Sequence, residues 1–157
     1  MGAMEVPAAD ATAPAEKPCF CGSAKIAMAL AATAMPFAST HSEEAERWLR
    51  ILRVNGAVGN AMQGLGLPEE PLELGAPVVG DDPCRPDSID SVITAATAEC
   101  RKRGRDAITT ADLFVGVLST YGPAFEKTLA VRGTTSEEVL DLVTHPRINP
   151  LAVPHMR

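Results

Sequence analysis

Aromatic residues are scarce in this chain: they make up 4% of its 157 residues, with one Trp and one Tyr. Sandwiches and barrels draw on aromatic and β-branched side chains to cover a pleated surface, so the scarcity argues against both. A surplus of positive charge is lacking too. Fourteen Lys and Arg against twenty Asp and Glu leave a formal net charge of −6. That disfavours broad nucleic-acid binding and docking on anionic membranes, which both need surplus cations. Four Cys are too few for a disulfide scaffold. Long apolar runs are also missing: Ile26–Met35 is ten residues, too short to cross a bilayer, and Pro36 ends it. The chain does not open on a basic segment followed by an apolar run, so no secretory signal is expected. The expected setting is cytoplasmic, with reduced thiols.

What the chain does have is an apolar share of 46%, rich in Ala, which suits one domain of close-packed helices. Residues 1–18 are dominated by Ala, Pro and Glu. They are expected to stay disordered, because they bury too little to offset the entropy of ordering. Residues 147–157, with two further Pro, are expected to form a second tail.

The most informative pattern is an internal repeat. Ala31-Ala-Thr-Ala34 recurs at 95–98, a shift of 64. Ile51-Leu52 pairs with Val117-Leu118 and Asn55-Gly56 with Tyr121-Gly122, both at 66. Gly66 pairs with Gly133 at 67, and Glu69-Glu70 with Glu137-Glu138 at 68. A collinear series with a slowly drifting shift is what two copies with short loop insertions produce.

The second copy spans 87–146. Asp87 caps a helix to about Arg103, with Ile89, Val92, Ile93, Ala96 and Cys100 on one stripe and Gly104 as its stop. Thr109-x-x-Asp112 opens a second helix that buries Leu113, Phe114, Val117 and Leu118. Gly122-Pro123 starts a third, where Phe125 and Leu129 share a face, and Gly133 stops it. Thr135-x-x-Glu138 caps a fourth. The first copy, 19–74, follows the same plan. Its first helix (24–35) is expected to turn Ile26 and Leu30 inward. Its second, behind Thr40-x-x-Glu43, buries Ala45, Trp48, Ile51 and Leu52. Val58, Ala61, Met62 and Leu65 line the third, and 68–74 is a short helix or turn interrupted by Pro71. Residues 75–86 link the copies. The expected fold is all-α: two pseudo-symmetric four-helix repeats sharing one core in an eight-helix domain at 19–146.

This plan resembles the N-terminal domain of Clp-type AAA+ unfoldases, the double Clp-N motif. Arg101-Lys102-Arg103-Gly104-Arg105 stands where that family has Arg-x-x-Gly-His, and Thr109-Thr110-Ala111-Asp112 where it has Gly-Thr-Glu-His. Leu113–Leu118, Tyr121-Gly122 and Thr128–Gly133 follow in the family's order, and Phe20-Cys21-Gly22-Ser23-Ala24 looks like its opening Phe-Thr-x-x-Ala. The resemblance covers roughly 19–144. It implies a non-catalytic module that receives substrates and adaptors, here without an ATPase ring, since no Gly-x-x-x-x-Gly-Lys-Ser/Thr loop occurs. The expected role is a free-standing adaptor, decoy or regulator of a Clp system, with a Clp ATPase, protease component or substrate as partner. Some family members bind phosphoarginine through the Glu of the Gly-Thr-Glu-His turn. That position is Ala111 here, and in the first copy it falls on Glu43, Ala45 or Glu46, so phosphoarginine binding is not expected.

The seam between copies is the expected protein-binding groove, marked by Glu43, Glu44, Glu46, Thr109, Thr110 and Asp112 at the starts of the second helices. Free backbone N–H groups and acidic side chains there suit a basic or amide-rich segment. No catalytic residue, metal or cofactor is expected. Cys19-x-Cys21 with His41 lacks zinc-site spacing and a second Cys pair. Cys100 reads as core and Cys84 as an exposed linker residue. A different class of reading is a small helical enzyme or ligand-binding protein with a pocket near Trp48 and Phe114.

Overall fold

The computed structural model describes residues 19–68 and 87–145, and over them the protein is all-helical. Seven α-helices are present among the described residues: α1 (Gly22–Ala34), α2 (His41–Arg53), α3 (Gly56–Gly64), α4 (Ser88–Lys102), α5 (Thr110–Tyr121), α6 (Pro123–Ala130) and α7 (Ser136–Thr144). A 3-10 turn, Met35–Phe37, extends α1. The helix or turn expected at 68–74 lies outside the described residues apart from Pro68, as do the linker 75–86 and both tails.

Local chemistry places the boundaries. Thr40, Thr109 and Thr135 are N-caps whose hydroxyls accept from the backbone N–H of Glu43, Asp112 and Glu138. At α5 the arrangement is reciprocal, because the Asp112 carboxylate also accepts the Thr109 N–H. After α3 the Leu67 N–H reaches the Met62 carbonyl, and after α6 the Thr134 N–H reaches the Leu129 carbonyl. Between them sit Gly66 and Gly133 at φ 77° and 85°, the left-handed conformation such a helix stop requires. The same kind of stop thus follows both α3 and α6.

Helix α5 is the hub. Its sequence is apolar nearly all round, and it packs against α1, α2, α3, α4 and α6. Helices α2 and α6 also meet, as do α3 and α7. The two halves therefore share one core, centred on Trp48, Leu49, Leu52, Met62, Leu113, Phe114, Val117 and Phe125, all fully buried. The Phe114 and Phe125 rings meet edge to face at 5.4 Å. Ile51 is buried as expected, whereas Leu118 is half-buried.

Helix α1 departs from expectation. Ile26 and Leu30 are 55% and 40% exposed, and the buried face is Ala24, Ala27 and Ala31. Small side chains let α1 approach α2 and α5 closely, and the larger ones are left facing solvent. A parallel bridge holds the chain entering α1 to the α4–α5 turn: the Cys21 N–H donates to Ile108 O at 2.9 Å, and the Ile108 N–H to Cys19 O at 2.8 Å.

Candidate functional site

A groove of about 340 Å³ opens between the start of α3, the α4–α5 turn, the first turns of α5 and the end of α7. That volume lies in the range of small-ligand and peptide side-chain pockets. Its lining includes Ala57 from the first half. The second half supplies Ala111, Val115, Leu140 and Val143 as apolar surface, with Arg103, Arg105, Thr109 and Asp112 as polar groups. The groove sits where α3 and α7 bring the halves together.

The acidic residues expected at this rim are spent elsewhere, with one exception. Asp112 does line the groove, but its side chain is almost wholly buried and neutralised: Arg105 Nη2 donates to Oδ1 at 2.6 Å, and Thr109 N–H and Oγ1–H donate to Oδ2 at 3.0 and 3.2 Å. Thr110 is buried beneath it. Glu43 caps α2, accepting from the Ser39 N–H at 2.7 Å and from Arg47 at 3.4 Å. Glu46 pairs with the buried guanidinium of Arg132, which also donates to the carbonyls of Thr128 and Pro68. None of the three glutamates is among the groove-lining residues. Sequence reasoning missed Arg132, because its partner stands 86 positions away. It also missed the two groove arginines, Arg103 and Arg105, as site residues.

Glu44 belongs to a buried polar cluster between the halves. The Tyr121 hydroxyl donates to its Oε1 at 2.8 Å, and the His41 ring lies 4.7 Å from the Tyr121 ring. Burial pushes the Tyr121 hydroxyl well above its ordinary value. Glu44 adds to that, while Ser88 and Trp48, directed at the phenolic oxygen, pull the other way. The Trp48 indole N–H points there without a partner of full hydrogen-bond geometry. Trp48 and Phe114 are core residues with no exposure, and neither lines the groove.

Burial, reinforced by Asp112, raises the Cys100 thiol above its ordinary value, which favours the protonated form. Among the described residues, no group of three or more His, Cys, Asp or Glu side chains is placed to hold a metal ion. Among them too, no helix is long and apolar enough to cross a membrane. Set against known proteins, the chain matches no family model and no curated protein.

Proposed function

We propose that this chain is a non-catalytic protein-binding module of the Clp N-terminal kind, acting in the cytoplasm as an adaptor, decoy or regulator of a Clp protease system. The observation that carries this reading is the groove where α3 meets α5 and α7, lined by apolar side chains together with Arg103, Arg105, Thr109 and Asp112. A concave seam of that make-up takes a short protein segment. The recurrence of Thr caps before α2 and α5, and of Gly stops after α3 and α6, supports two pseudo-symmetric four-helix repeats.

Affinity capture from the source organism tests the proposal, with Ala57→Trp as the matched control. Ala57 is exposed at the groove wall, so an indole there fills the groove without disturbing the core. Capture of Clp ATPase or protease subunits by the parent, lost in Ala57→Trp, is the expected result. No Clp subunit on the parent, or equal capture by both, overturns the reading.

A further inference from the structure

We infer that the segment taken by this groove is acidic and aliphatic: an extended stretch of another protein in which a Leu or Val stands beside an Asp or Glu. The inference rests on the protein-binding reading above and adds the chemistry of the bound segment. The apolar part of the lining, Ala111, Val115, Leu140 and Val143, offers methyl groups and no aromatic ring. It fits aliphatic side chains and gives nucleic-acid bases nothing to stack on.

The mouth supplies the charge. Arg103 and Arg105 line the groove, and Arg101 and Lys102 are exposed beside them in the sequence, against Glu99 and Asp106 nearby. This is a basic edge on a chain whose formal charge is −6. Asp112, shared between Arg105 and Thr109, cancels one of these charges, and with Glu99 and Asp106 it leaves the four cations of this edge a surplus of one. The Arg105 side chain, 37% exposed, is pinned by one Nη2–H bond to Asp112. That leaves a guanidinium held in place to receive a second carboxylate. Arg103, 49% exposed and tied to Glu99 on its own helix, stands beside it at the same mouth. Aliphatic side chains against the apolar lining and a carboxylate at the arginines would use both parts of the same groove.

Panning a random dodecapeptide phage library against the full chain, then measuring enriched peptides by fluorescence anisotropy, tests this. The expected consensus sets an aliphatic residue next to Asp or Glu. Replacing that acid by Asn in the peptide weakens binding about tenfold, the loss of one charged hydrogen-bonded contact. Arg103→Glu does the same with helical circular dichroism unchanged, and raising the salt weakens binding further. Arg103→Gln gives an intermediate loss and guards against charge-reversal artefacts. Peptides blocked by Ala57→Trp but basic or uncharged in consensus, or indifferent to Arg103→Glu, overturn the acidic segment and leave the groove reading standing. No enriched peptide, or binding untouched by Ala57→Trp, overturns the groove reading and this inference with it. An oligouridylate that displaces the peptides from the groove overturns the choice of a protein segment.

Discussion

Tyr121 is the chain's single tyrosine, and its hydroxyl is committed to a carboxylate that the fold has also buried. Ionising it would set a phenolate against Glu44 in a site poor in water, so the folded state holds the neutral phenol well beyond the ordinary value of 10.0. The sign follows from linkage. A group raised in the folded state lends stability that is complete below its unfolded pKa and is lost as pH climbs toward the folded value. With one phenol in the chain, its ultraviolet titration has a single origin. The expected result is no phenolate absorbance at about pH 10 while the helices persist, and its appearance together with unfolding at higher pH. A midpoint near 10 with helical circular dichroism intact would show Tyr121 to be solvated. At this scale the caps were legible in the sequence, because Thr109 and Asp112 lie three residues apart and act locally. The Glu44–Tyr121 and Glu46–Arg132 pairs were not, since only the folded chain brings together side chains 77 and 86 positions apart.

Helices α4 and α5 pack more closely than ordinary side chains allow, and Gly116 is the reason. A Cβ at this position would stand 2.6 Å from the Val92 carbonyl oxygen and 3.2 Å from the Ala96 backbone nitrogen. Both are rigid atoms of a helix, so the two helices would have to part. Gly116→Ala is expected to lower stability by about 1–3 kcal/mol, the usual range for overpacking. Gly64→Ala, exposed and with nothing near its Cβ, is expected to raise it by about 0.4–1 kcal/mol. Denaturant titration of the two variants checks the contrast, and equal shifts would deny the close approach. The same packing logic explains which elements the sequence disclosed. Apolar periodicity located α2 and α5, whose large side chains make the core. It misjudged α1, where Ala24, Ala27 and Ala31 are buried and Ile26 and Leu30 are not. A reading that ranks side chains by apolar area turns such a helix the wrong way, because close contact selects the small face. Of the residues expected at the groove, Thr109 and Asp112 line it, whereas Arg103 and Arg105, which line it too, were not read as site residues. Glu44 and Glu46 are absorbed by Tyr121 and Arg132, partners far along the chain that spacing does not reveal.

Neither half of the molecule closes a core by itself. Helix α5 of the second half touches all three described helices of the first, and α2 and α3 reach across to α6 and α7. The pair between Arg132 and Glu46 spans the same boundary. The Arg132 side chain has no exposure, and its guanidinium also holds carbonyls in both halves, Thr128 on one side and Pro68 on the other. Removing it takes a shared donor from Glu46, Thr128 and Pro68 at the junction, so the cost falls on the whole fold and not on one half. Arg132→Met keeps most of the side-chain volume and deletes the charge. It is expected to cost about 3 kcal/mol, the low end for breaking a buried ion pair. Glu46 stays 13% exposed and keeps Arg50 at 4.0 Å, which softens the loss. Trp48, buried in the shared core beside Tyr121, reports the junction by fluorescence, while far-ultraviolet circular dichroism reports helices in both halves. In parent and variant alike the two denaturation curves are expected to coincide, with the variant's midpoint moved to lower denaturant. A fluorescence transition that separates from the dichroism transition would show the halves unfolding independently, and the single shared core would then be wrong.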